Sequence, residues 1–269
     1  MKNLIIQVWS DNEESLPDYA KISKFYMQKY ARRIGATYCF IQNFKRKGHP
    51  AAYVKHAIFD SDFDEFDNVL IVDTDVYVGK HVNENIFDEV GGGADYSVYG
   101  LWFDYAKKGD FSMGRDIDCN LMPEGEDELE WVWQGGVIKL TREQRIILRK
   151  LIQEKTYNIS ELSSDEVFFP LAFRRSGLEH KHLDYKWNAW MMCSLEEMSK
   201  HTDQDEGRVK RFYDWYVNFR DDTVMFENGF WLFPNMQSAN FIHLQKVWCD
   251  PNRINRLKTL NEIRWIRSE

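Results

Sequence analysis

The chain has 269 residues, 43% of them hydrophobic and 29% charged. That is enough apolar material for one large core, and it excludes a disordered chain. The formal net charge of −8 argues against non-specific nucleic-acid binding, and Cys39, Cys119, Cys193 and Cys249 show no Cys-x-x-C spacing that would point to zinc.

The first apolar run, Leu4 to Trp9, reads as a buried strand and is too short for a signal peptide. A helix follows from about Pro17 to Ile34. Tyr19, Ile22, Phe25, Tyr26, Tyr30 and Ile34 recur at helical spacing, and Gly35 suits the stop. Thr37 to Ile41 is a second strand, Ala51 to Phe59 a helix, and Asn68 to Val72 a third strand continuing at Val76 to Val78. Strand–helix–strand–helix–strand order predicts an α/β fold with a doubly wound, mostly parallel sheet. Ligands of such sheets bind beyond the carboxyl ends of the strands, where Ser10, Asp11 and Asp73 fall.

Farther on, Asp95 to Tyr99 reads as a strand, and Gly135-Gly136 as a turn into a strand that reaches Leu140. Thr141 and Gln144 have capping-box spacing and open a helix to about Thr156. Ser164 to Arg175 is another helix, stopped by Gly177, and His180 to Asp184 a short strand. The segments 101–130 and 196–222 read as insertions in a single domain spanning 1–269, and Pro251 to Arg267 as a terminal helix. No segment approaches the roughly 18 apolar residues of a membrane helix. The expectation is a soluble cytoplasmic protein with reduced thiols and no membrane span.

Asp73-Thr74-Asp75 carries the most chemistry. A buried strand that ends in two carboxylates must neutralise them or give them a cation. On an extended backbone residues i and i+2 point the same way, so Asp73 and Asp75 can share one divalent ion with phosphate oxygens completing its shell. Other patterns read more plainly. The acidic run Asp60 to Asp67 and the basic stretch His243 to Arg267 polarise the charge. Ten tryptophans supply core packing and potential stacking platforms for sugars or bases. Ser163 to Glu166 is itself a capping box, which accounts for acids in a first helical turn without any catalysis. Basic and aromatic residues interleave from Arg208 to Arg220, as on an amphipathic helix or an acceptor surface.

Six segments, in order, resemble the GT-A class of nucleotide-sugar glycosyltransferases, in particular the family of glycogenin and bacterial galactosyltransferases. They are Ala52-Tyr53-Val54-Lys55, Leu70 to Val76 with its Asp-x-Asp, Trp133-Gln134-Gly135-Gly136-Val137, Ser164-Asp165-Glu166-Val167, Leu183 to Asn188, and Phe241-Ile242-His243. The match spans roughly residues 1 to 250. Gln134 stands where that family usually has Asn, and His243-Leu244-Gln245-Lys246 lacks the glycine of its His-x-x-Gly-x-x-Lys.

The resemblance implies a GT-A fold and transfer of a sugar from a nucleotide-diphosphate donor, UDP by preference, to a hydroxyl acceptor. It implies Asp75, Asp73 and His243 as ligands of Mn²⁺ or Mg²⁺, with Asp73 also reaching the ribose beside Thr74. Trp9, Ser10 and Asp11 would hold the base, Lys55 and Lys246 the diphosphate, and Gln134, Gly135 and Gly136 the sugar. Asp165 and Glu166 would face the donor sugar or activate the acceptor. Retention of configuration is what that family implies, with inversion by Asp165 or Glu166 as base the alternative. The acceptor stays open between glycan, protein, small molecule and hydroxylated DNA base. Rival readings of the Asp-x-Asp strand are a haloacid-dehalogenase-type phosphatase with Asp73 as nucleophile, a sugar nucleotidyltransferase, and a non-catalytic sugar-binding relative.

Overall fold

Two apolar runs, Leu4-Ile5-Ile6 and Val69-Leu70-Ile71-Val72, do not alternate with polar residues, and in the folded chain both are buried on both faces. In this computed structural model, residues 1–11, 15–44, 51–79, 82–95, 133–153, 169, 172–173, 175–179, 181–190, 192–193, 224–225, 230–232 and 240–243 are described. In chain order they form β1 (Asn3–Val8), α1 (Asp18–Arg33), β2 (Thr37–Ile41), β3 (Asn68–Val72), β4 (Val76–Val78), β5 (Gly93–Asp95), β6 (Trp133–Thr141) and α2 (Arg142–Gln153). Short strands follow: β7 (His182–Leu183), β8 (Ala189–Trp190), β9 (Met192–Cys193), β10 (Val224–Met225), β11 (Phe230–Leu232) and β12 (Phe241–His243). A 3₁₀ helix covers Ala51–Phe59. Among the described residues no helix is long and apolar enough to cross a membrane.

Two compact units emerge. The first comprises Met1–Ser15, Gly35–Asp73 and Asn85–Asp184; the second comprises Leu16–Ile34, Thr74–Glu84 and Tyr185–Glu269.

The first unit is an α/β layer around a six-stranded sheet of order β2-β1-β3-β6-β5-β7. β2, β1 and β3 are parallel, as are β5 and β7, but β6 runs antiparallel to both of its neighbours. The sheet is therefore mixed. Strands buried on both faces read alike in either direction, so the sequence carried no sign of the reversal. Leu4, Ile6, Val69, Ile71, Ile138 and Leu140 pack with Ala57, Ile58, Phe59, Leu148 and Phe173 into one cluster. The capping box at α2 forms in both directions: Thr141 N–H donates to Gln144 Oε1 (2.9 Å), and Gln144 N–H donates to Thr141 Oγ1 (3.2 Å). Gly135 and Gly136 lie inside β6 rather than in a turn before it. The register of β5 jumps from Gly93↔Ile138 to Ala94↔Gln134, so the glycines sit in a bulge.

Lys139 on β6 is 6% exposed, and its ammonium donates to the carbonyls of Ile86 and Glu89. Burial pulls its pKa down to about 8, partly opposed by the charges of Glu89 and Asp88. Between that value and the ordinary lysine range the unfolded chain binds a proton that the folded chain does not. Stability contributed at this site therefore rises with pH through that window, and the full cost of burying the charge applies below it. Compared by denaturation across pH 7 to 10.5, wild type should gain up to roughly 3 kcal/mol relative to Lys139→Met. A difference that is flat with pH would contradict this.

In the second unit, Pro17 O accepts from the N–H groups of Ala20 and Lys21 to start α1. Gly35 (φ 71°) follows its end, where a left-handed residue costs a glycine nothing. The buried stripe is Tyr19, Ala20, Ser23, Met27, Tyr30 and Ala31, while Phe25 is half-exposed. The aromatic positions expected to face inward are thus only partly right. Ser23 takes a core position because its hydroxyl donates to Val76 O (2.5 Å). β4, β12 and β8 form one three-stranded sheet and β10, β11 and β9 another. Phe241 packs edge-on against Tyr30 (5.3 Å) and Trp187 (5.2 Å).

Candidate functional site

The carboxyl edge of the parallel strands in the first unit carries Trp9, Ser10, Asp11 and Asp73. β1 and β3 are parallel neighbours, so Trp9 and Asp73 leave the sheet at the same edge, where β6 enters with Gly135 and Gly136. Trp9 N–H donates to Ile41 O (2.8 Å), extending the β1–β2 pairing, and its indole donates to Ser15 Oγ (2.9 Å). Ser10 Oγ donates to Asp11 Oδ2 (3.3 Å), and Asp11 O accepts from Asn43 N–H (2.9 Å).

The backbone of Asp73 is fixed on two sides. Its N–H donates to Gly136 O (2.9 Å) in the bulge, and its carbonyl accepts from Gln7 Nε2 (3.0 Å). Gln7 is fully buried and is itself oriented by Tyr38, whose hydroxyl donates to Gln7 Oε1 (2.8 Å). The sequence reading missed this pair. Its signal was present: a lone amide inside the apolar run Leu4 to Val8 has to find partners.

The resemblance implies a diphosphate contact for Lys55. It is buried, with Nζ 3.1 Å from Asp73 Oδ2. The 3₁₀ helix packs its apolar residues Ala57, Ile58 and Phe59 into the core, and this carries Lys55 inward to the Asp73 carboxylate, which offsets its charge.

Thr74 and Asp75 form a turn, and the chain that follows does not continue the first sheet. β4 pairs instead with β12, antiparallel, in the register Val78↔Phe241, Tyr77↔Ile242 and Val76↔His243. This corrects the expectation of an extended Asp73–Asp75 pair on a continuous strand. A turn, rather than strand pleat, directs the second carboxylate. The β4–β12 register brings His243 beside Asp75, with Nε2 3.3 Å from Oδ1. His243 is 4% exposed. Tyr19 on α1 lies close enough to feel the same carboxylate. Its phenol is pushed up to about 12, by burial first and by the Asp75 charge second.

Within the second unit Asp75 and His243 put a carboxylate oxygen and an imidazole nitrogen side by side, and Asp73 stands two residues before Asp75 in the chain. Two carboxylate oxygens and one imidazole nitrogen are a donor set suited to a divalent ion, and the nitrogen favours Mn²⁺ over Mg²⁺. A cleft of about 450 Å³ in the first unit lies elsewhere. Asn68, Thr141, Lys139 and Gln144 line it, at the opposite end of β3 and β6. Gln134 is placed by its strand position beside Ala94. Asp165, Glu166, Lys246, the run Arg208 to Arg220 and the segment 101–130 lie outside the described residues.

No family model and no curated protein matches this sequence. Solved structures similar to it include a glycosyltransferase involved in the glycosylation of the major capsid of PBCV-1, at 12% identity and TM-score 0.46, over 95% of this chain and 98% of that one. Another is the bifunctional glycosyltransferase WbbM in its apo form, at 11% identity and TM-score 0.48, over all of this chain and 52% of that one. The chain thus spans about half the length of WbbM.

Proposed function

We propose that this chain is a metal-dependent glycosyltransferase that moves a sugar from a nucleotide-diphosphate sugar, UDP the first choice, to a hydroxyl acceptor. The observation that carries this is the Asp-x-Asp of residues 73–75 at the end of β3, with the Lys55 ammonium on Asp73 and the His243 imidazole on Asp75. A divalent ion held by Asp73, Asp75 and His243 would offset the charge that develops on the departing diphosphate. Lys55 supplies a fixed positive charge to the same oxygens, and its burial strengthens that effect. Trp9, Ser10 and Asp11 offer the base a platform at the neighbouring strand end, and Lys246 a second cation for the diphosphate. The Gly135–Gly136 bulge keeps side chains away from the donor sugar, and the Gln134 amide can bond its hydroxyls.

The bond from the anomeric carbon to the diphosphate oxygen breaks, and a bond to the acceptor oxygen forms. With retention, as in the family resembled, the acceptor proton passes to the departing phosphate oxygen. With inversion it passes to Asp165 or Glu166. The acceptor class, whether glycan, protein, small molecule or hydroxylated DNA base, would be chosen by segments 101–130 and 196–222.

The test is a panel of UDP- and GDP-sugars with Mn²⁺ and no acceptor, read as nucleotide release, since water can replace the acceptor slowly. At least one donor should release nucleotide, and a chelator should stop it. Silence with every donor, together with phosphate release from phosphomonoesters and a phosphate label on Asp73, would make the chain a phosphatase instead.

A further inference from the structure

The acidic run Asp60 to Asp67 has no part in the site chemistry, yet it joins the helix that carries Lys55 to the strand that ends in Asp73. It holds five acids in eight residues, Asp60, Asp62, Asp64, Glu65 and Asp67. Three arginines of α2, at positions 142, 145 and 149, answer it. Their i, i+3, i+7 spacing puts them on one helix face.

Each arginine holds main-chain carbonyls as well as charge. Arg149 Nε donates to Phe59 O (2.6 Å), and its terminal nitrogens hold both carboxylate oxygens of Asp64. Arg145 is fully buried and donates to Phe66 O (2.6 Å). Arg142 Nη2 donates to Glu65 O (2.8 Å) and to Asp67 Oδ1 (3.0 Å). The Asp64 carboxyl is held below its usual range, first by its hydrogen bonds from Arg149, and the Arg149 guanidinium is raised by the same bonds. Phe59 ends the 3₁₀ helix four residues after Lys55, and Asp67 immediately precedes β3. The arginines therefore grip both ends of the connection between the two charged partners.

We propose that α2 is the positioning element of the Lys55–Asp73 pair, with Arg149 and Arg142 as positioning residues that set where the Lys55 ammonium meets the diphosphate. This rests on the donor-binding role proposed above. An acidic strip gripped only through its carboxylates could slide. Guanidinium groups anchored on the carbonyls of Phe59, Glu65 and Phe66 fix the main chain itself.

The test is a double-mutant cycle on binding of Mn²⁺ with UDP or GDP, whichever the wild type takes, with the melting midpoint recorded for every variant. Arg149→Gln should weaken nucleotide binding about tenfold, and in a Lys55→Ala background it should change binding less than twofold, because the arginine acts through the lysine. Arg149→Lys should not rescue, since an ammonium cannot hold the Phe59 carbonyl and both Asp64 oxygens in one plane. If Arg149→Gln does not fold, Arg142→Gln, at the more exposed end of the row, takes its place in the cycle. Equal weakening in both backgrounds, or unchanged binding in the single variant, overturns the positioning role alone. A wild-type protein that binds neither Mn²⁺ nor nucleotide overturns the donor-site proposal and this one with it.

Discussion

Asp75→Ala should lower donor turnover by about 10³-fold or more, and excess Mn²⁺ should not restore it. Asp75 is held in a turn between two strands that belong to different sheets, and its carboxylate meets the imidazole of His243 at 3.3 Å. Side chains 16% and 5% exposed leave little water to stabilise charge at that point. A leaving diphosphate needs several kcal/mol of charge stabilisation, and in the proposed mechanism a bound cation would supply it. Asp75→Asn keeps the shape and removes only the charge, so it should lose nearly as much activity as Asp75→Ala. Mn²⁺ should also raise the melting temperature of the wild type, because it binds the folded chain, while leaving both variants unmoved. Full turnover in the presence of chelator would remove the metal from the mechanism.

What the sequence disclosed was local. The apolar runs of β1 and β3, the capping box at Thr141 and Gln144, the stop at Gly35 and the two aspartates each announce themselves within a few neighbours. What it withheld depends on pairing between distant segments. Nothing in Val76-Tyr77-Val78 says that it leaves β3 to join Phe241-Ile242-His243. Nothing in Val137 to Leu140 says that β6 is reversed. Nothing around Lys55 says that it is buried against Asp73, because helical spacing alone cannot reveal which face a carboxylate from another element will meet. The acidic run Asp60 to Asp67 was visible as charge, but its meaning lies eighty residues away on α2. Gln7 was the overlooked clue, a buried amide whose bond holds the Asp73 carbonyl at the end of β3.

Lys55→Met should move two affinities in opposite directions. Nζ lies 3.1 Å from Asp73 Oδ2, with the lysine side chain 9% exposed and the aspartate 27%. In the absence of ligand this ammonium forms an ion pair with Asp73. It therefore repels any divalent ion that approaches the same carboxylate, and it attracts the diphosphate that comes with the ion. Removing it should tighten Mn²⁺ binding while lowering kcat/KM for the donor by roughly 10²-fold, the scale of losing one positioned charge at a leaving group. The unliganded variant should melt earlier than wild type, because the partly buried Asp73 loses an ion pair, and Mn²⁺ should restore much of the difference. A lysine that serves only as a structural ion pair predicts otherwise. Metal affinity, donor affinity and melting temperature would then fall together, since one misplaced aspartate would underlie all three. Calorimetry with Mn²⁺ alone and steady-state kinetics with the donor separate the two outcomes, and a parallel fall in both would return Lys55 to a role in folding.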